Sequence, residues 1–177
     1  MSAATATLLP ARAGLRLGLG MALLLLVADQ ASKWWILEGL DLPALRNLAL
    51  FEAGPFGIDL TMVWNRGVTF GLLTSFGDSS YLLLAAVALA VVIALVVWLR
   101  RAESRLVAIS LGAIVGGALA NVIDRLRFGA VIDFIHAHIG DWSWYVFNLA
   151  DAAIVCGVAA LVIDSLLPRA RRARPAS

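Results

Sequence analysis

Residues 81–99 read YLLLAAVALAVVIALVVWL, nineteen positions without one charged side chain. At about 1.5 Å per residue, a helix of that length reaches across a hydrocarbon core of about 30 Å. Lipid offers backbone groups no water to bond, so such a run must satisfy its own hydrogen bonds as a helix. This stretch makes the chain a membrane protein and sets the search for further spans. Leu106 to Ile123 stay uncharged until Asp124, and Phe147 to Leu167 hold Asp151 in the first turn and Asp164 near the end. Leu15 to Leu37 complete the set, with Asp29 and Lys33 in the far half. Hydrophobic residues make up 62% of the 177, against roughly 45–50% in an ordinary soluble domain. Four spans leave little chain for a soluble body. The expected organisation is an N-terminal extension over 1–14, a four-span membrane domain over 15–167 with an insert at about 38–80, and a basic tail over 168–177.

Arg12 and Arg16 ahead of an apolar run resemble a signal peptide, but Leu17 to Leu37 is too long for its apolar region and carries Asp29 and Lys33. It is expected to be a retained first span. Lys and Arg mark the cytoplasmic side of membrane proteins. Arg12, Arg16, Arg100, Arg101, Arg105, Arg169, Arg171, Arg172 and Arg174 put nine of the fourteen basic residues on one side. Both termini are then expected in the cytoplasm, with the basic tail resting on anionic lipid headgroups. The net charge of +2 includes no basic stripe on a soluble surface, so no nucleic-acid partner is expected.

Two segments face the other side. In the first, Ile58 to Asn65 partly alternates and suggests a short strand, with turn chemistry from Gly54, Pro55 and Gly57 before it and Gly67 and Gly71 after it. The second, Phe128 to Val146, reads as a loop and contains Trp142, Trp144 and Tyr145, aromatics suited to a membrane interface. Gly112, Gly116 and Gly117 on the third span predict close helix packing. No internal repeat suggests a transporter. The single cysteine, Cys156, excludes a disulfide within the chain and is expected to be a buried filler.

Ionisable residues inside a membrane are costly, so each requires a reason. All but Asp164 lie at the outer ends of the spans: Asp29 and Lys33, then Asn121, Asp124 and Arg125, then Asn148 and Asp151, with Asp133 in the apolar stretch Val131 to Ile135. Carboxylates from separate segments thus meet at one depth. Asp29 and Lys33, four apart, predict an ion pair. Asn121 with Asp124 and Asn148 with Asp151 share faces at i,i+3, where each amide could donate to its carboxylate or to a neighbouring chain, or cap a helix end. Two close carboxylates cannot both ionise, so one keeps a proton and the pair can act as acid and base together. Asp151 is one candidate. Either Asp133 or Asp124 could partner it. Arg125 and Arg127 beside Asp124 favour a permanently ionised carboxylate there, whereas the apolar neighbours of Asp133 suit proton sharing better. Other chemistries lack their motifs. There is no His-Glu-x-x-His zinc motif and no Gly-x-Ser-x-Gly elbow, and His136 and His138 lack a clear third ligand. A proton-coupled transporter or a non-enzymatic scaffold are the rival classes.

Five blocks carry a resemblance: Asp29-Gln-Ala-Ser-Lys33, Asn65-Arg-Gly-Val-Thr-Phe-Gly71, Gly116-Gly-Ala-Leu-Ala-Asn-Val-Ile-Asp-Arg125, Val131-Ile-Asp-Phe134 and Phe147-Asn-Leu-Ala-Asp151. In this order the chain resembles bacterial lipoprotein signal peptidase (signal peptidase II), an intramembrane aspartyl protease family. The resemblance implies an all-α membrane protein: a four-transmembrane-helix bundle with a small periplasmic β-cradle and an amphipathic surface element. It implies an inner-membrane endopeptidase that removes the signal peptide from diacylglyceryl-modified prolipoproteins just before the lipidated cysteine, with globomycin occupying the site. Asp133 and Asp151 would be the catalytic pair. Asp29, Lys33, Asn65, Arg66, Gly67, Asn121, Asp124, Arg125 and Asn148 would bind substrate or support the site, with Asn65 and Arg125 nearest the substrate between spans three and four. Gly67 and Gly71 would shape a loop over it. Ala120 departs from the glycine frequent in the family. Prolipoproteins and membrane lipids are the expected partners, no cofactor or metal is expected, and a monomer is expected.

Overall fold

The computed structural model describes residues 11–67 and 80–166. Gly71 and the part of its expected loop beyond Gly67, Leu167, the tail arginines and the first ten residues lie outside that description. Among the described residues four helices are long and apolar enough to cross a membrane: α1 (Ala11–Trp34), extended by a π-helical turn at Trp35–Gly39, α3 (Ser80–Leu99), α4 (Arg105–Phe128) and α5 (Leu149–Leu166). The apolar runs place all four within a few residues. Between α1 and α3 lie the four-residue turn α2 (Leu42–Leu45), strand β1 (Asn47–Ala53) and strand β2 (Phe56–Asn65). Among the described residues, nothing longer than α2 corresponds to the expected amphipathic surface element.

Helix α4 packs against α1, α3 and α5 and is the most buried of the four. Its glycines explain why. A Cβ at Gly112 would collide with the Gly18 backbone, one at Gly116 with the Ala22 backbone, and one at Gly117 with the Ala150 carbonyl. The first two bring α1 onto α4, and the third brings in the start of α5. This is the small-residue packing read from the sequence. Ser104 caps α4 by accepting from the Val107 N–H at 3.1 Å, and Gly129 ends it at φ +69° with its N–H on the Arg125 carbonyl.

The four strands form one antiparallel sheet in the order β1-β2-β3-β4, with β3 at Val131–Ile139 and β4 at Trp142–Ser143. The loop expected over 128–146 is therefore largely strand, and His136 and His138 sit on β3. Ile132 and Phe134 pack with Leu60 against Ile36 and Leu42, which fixes the sheet on the end of α1. The opposite parity turns Asp133 away from that cluster. β2 carries one extra residue between Leu60 and Val63 relative to Ile135 and Asp133, a bulge that sets Val63 opposite Asp133 and Asn65 opposite Val131. After β4 the chain returns along β3. Phe147 exchanges backbone bonds with Ile135, and Trp144 donates to the Ala137 carbonyl. That return delivers the first residues of α5 to Asp133.

Candidate active site

Asp133 is 1% exposed, and both its oxygens are occupied. Asn148 Nδ2 donates to Oδ1 at 2.7 Å, and Asn65 Nδ2 donates to Oδ2 at 2.9 Å. Asn65 can offer that amide because its own Oδ1 accepts the Gly67 N–H at 2.9 Å, a local turn that needs Gly67 at φ +69°. Asn148 has two functions. Its Oδ1 accepts the Asp151 N–H at 2.8 Å and so caps α5, while its Nδ2 holds Asp133. Asp151, part-buried, accepts from Asn121 Nδ2 at 2.8 Å. Asn121 Oδ1 in turn accepts from Asn148 Nδ2 and from Lys33 Nζ, both at 3.2 Å. The two asparagines thus join both aspartates into one network. The capping role expected for Asn148 is present, but neither amide bonds the carboxylate side chain three residues along its own helix.

Burial pushes the Asp133 carboxyl up from 3.8 to about 6. The Asn65 amide works against that rise, the Asp151 charge adds to it, and Asn148 and the Lys33 charge oppose it. Both aspartates line a groove of about 1210 Å³. One wall is the end of β2 from Val63 to Gly67. Another is Trp144 to Phe147, and a third is Ala152, Val155 and Cys156 on α5. Among the described residues none of this lining comes from α4, so the groove runs between the sheet and α5, with α4 behind it. That corrects the expected site between spans three and four. Cys156 is also corrected, being exposed on the groove wall and not buried.

Behind the aspartates lies a buried ionic cluster. Lys33 Nζ is 2.7 Å from Asp29 Oδ2 and 2.7 Å from Asp124 Oδ2. The expected Asp29–Lys33 pair is present. Asp124, however, takes its cation from α1 and not from the arginines beside it in sequence. Arg127 stacks on Phe128, 4.9 Å from the ring centre, and Arg125 Nη1 donates to the Asn121 carbonyl at 3.2 Å. The Arg125 charge lies in the field of Asp151 and Asp133, and its Nε is buried without a hydrogen-bond partner among the described residues. Arg66 and Gly67 line the groove wall. Gln30 escaped the sequence reading. Its Nε2 donates to Asp124 Oδ1 at 2.8 Å. An amide one residue after Asp29 in an apolar run was the available signal. Among the described residues no three His, Cys, Asp or Glu side chains are grouped to hold a metal ion. His136 and His138 instead face Asp59 at 3.8 and 3.5 Å.

The model of the family described as signal peptidase (SPase) II matches residues 21–167. The chain belongs to the signal peptidase II family. A lipoprotein signal peptidase of Methylorubrum extorquens (strain PA1) is 55% identical over 156 residues, 88% of this chain and 89% of the relative. One from Rhodopseudomonas palustris (strain ATCC BAA-98 / CGA009) is 43% identical, covering 86% and 93%. A solved structure titled as a bacterial membrane enzyme, determined in meso at 1.9 Å, superposes with a TM-score of 0.69 over 86% of this chain and 94% of that one. At 24% identity it supports the fold alone. Family membership and the four spans make this an integral membrane signal peptidase.

Proposed function

We propose that the chain removes signal peptides from diacylglyceryl-modified prolipoproteins, cutting just before the lipidated cysteine, with Asp133 and Asp151 as a proton-sharing pair. The observation that carries this is the two carboxylates on one groove, joined through Asn148 and Asn121, with Asp133 held above the ordinary carboxylate range. In the reactive form Asp133, whose carboxyl is pushed up by burial, carries the shared proton. Asp151 takes a proton from water as the oxygen attacks the scissile carbonyl carbon, and Asp133 gives its proton to the carbonyl oxygen. When the C–N bond breaks, Asp151 passes its proton to the leaving nitrogen and Asp133 recovers one from the hydroxyl. Each aspartate ends as it began. No cofactor takes part in these steps.

The apolar wall of α5 suits a segment arriving from the bilayer, and the aromatic wall from Trp144 to Phe147 suits the interface above it. The basic clusters favour both termini in the cytoplasm of an inner-membrane protein, which puts the groove on the periplasmic side, and a monomer contains the whole site. The test is cleavage of a lipidated prolipoprotein by purified protein. Asp133→Asn and Asp151→Asn should each lose activity by about 10³-fold or more while still inserting in the membrane. Wild-type turnover by either variant would remove that residue from the chemistry.

A further inference from the structure

The proposed pair sits on two different elements, β3 and α5, and their separation has to be held from behind. Asp29 Oδ1 accepts the N–H of Ala150, the residue before Asp151, at 2.9 Å. Asp124 Oδ2 accepts the N–H of Ile132, the residue before Asp133, at 3.2 Å. Lys33 grips both carboxylates at 2.7 Å and also orients Asn121, the donor to Asp151. Asp29, Lys33 and Asp124 are at most 2% exposed. A lone Asp29–Lys33 pair would already be neutral, and burying a second carboxylate beside it costs stability. What that second carboxylate adds is the bond to the backbone ahead of Asp133.

Resting on the aspartyl reading above, we propose that Lys33, with Gln30 latching Asp124, is a positioning residue that sets the separation of Asp133 and Asp151. The ammonium is the shared pivot of two matched arms. Each arm ends on the peptide N–H one residue ahead of a dyad aspartate. Neither Lys33 nor Gln30 lines the groove, so neither is placed to touch substrate.

The test compares Lys33→Arg and Gln30→Met with the wild type in cleavage of a lipidated prolipoprotein, using full-length protein. Lys33→Arg keeps the charge and changes the reach. It should hold KM within about threefold and lower kcat about 100-fold, the effect of a displacement near 1 Å. Gln30→Met removes one hydrogen bond and should lower kcat about fivefold at unchanged KM. Both should move the high-pH limb of the kcat profile to lower pH, because Asp151 then stands farther from Asp133. The charges facing Asp133 are Asp151 on α5, Lys33 on α1 and Arg125 on α4, beside the Asn65 and Asn148 amides, and neither substitution removes any of these charges. Three results overturn the proposal: kcat at the wild-type level, a KM rise at unchanged kcat, or a kcat loss that only follows the folded fraction with an unmoved pH profile. If Lys33→Arg does not fold, Gln30→Met decides alone. Full turnover by Asp133→Asn would instead remove the dyad, and the positioning role with it.

Discussion

Replacing Asp133 with Asn should stabilise the protein at neutral pH while abolishing its activity. Burial raises this carboxyl from 3.8 to about 6, so the folded protein keeps the proton through a window where the unfolded chain has released it. Stability therefore falls as pH rises from about 4 to about 6 and is flat above that. At about 1.4 kcal/mol per unit, the charged Asp133 costs roughly 3 kcal/mol above pH 6. Asn carries no such charge, but it is not a perfect substitute. Asn148 and Asn65 both donate to Asp133, and one of them would face an NH2 group, losing about 1–2 kcal/mol. The net gain is about 1–2 kcal/mol, a rise of roughly 3–6 °C in Tm. Thermal unfolding in detergent at pH 4, 6 and 8 reads this out. The variant should be slightly less stable than wild type at pH 4, where Asp133 keeps its proton and only the mismatch counts, and more stable at pH 8, the difference changing sign between pH 4 and 6. A variant no more stable than wild type at pH 8, or one whose difference from wild type has the same sign and size at pH 4 and pH 8, would refute the reasoning.

Two further changes probe the supports. Asn65→Leu removes a donor that lowers the Asp133 pKa, so the high-pH limb of the kcat profile should move upward, opposite to the shift expected from Gln30→Met, and kcat should fall about tenfold. Gly116→Leu drives a side chain into the Ala22 backbone of α1 and should cost about 3 kcal/mol or more, read as lost expression and a lowered Tm.

The helices were legible because each is a long apolar run whose ends are marked by charge. The sheet was legible only in part. β2 shows partial alternation from Ile58 to Asn65 and was expected over those residues. β3 is buried on both faces from Val131 to Phe134, so no alternation betrays it. β1 is exposed throughout and has no inward face to pattern. Asp133 and Asp151 stood out as carboxylates near lipid, but so did Asp124, and the residues alone did not separate Asp133 from it. Their supports did not sort themselves, because the decisive bonds join residues far apart in the chain. Asn148 meets Asp133 only because Phe147 pairs with Ile135. Asp124 meets Lys33 only because Gly112 and Gly116 let α1 approach, so its sequence neighbours Arg125 and Arg127 misled.

Cys156 is the only thiol in the chain, and it lies on the α5 wall five residues beyond Asp151, about 7.5 Å along the helix axis. A fluorophore or spin label can therefore be attached at one defined point inside the groove without first deleting any native residue. The unlabelled thiol is itself a gauge, since whatever fills the groove must slow its alkylation, and occupancy becomes measurable without turnover.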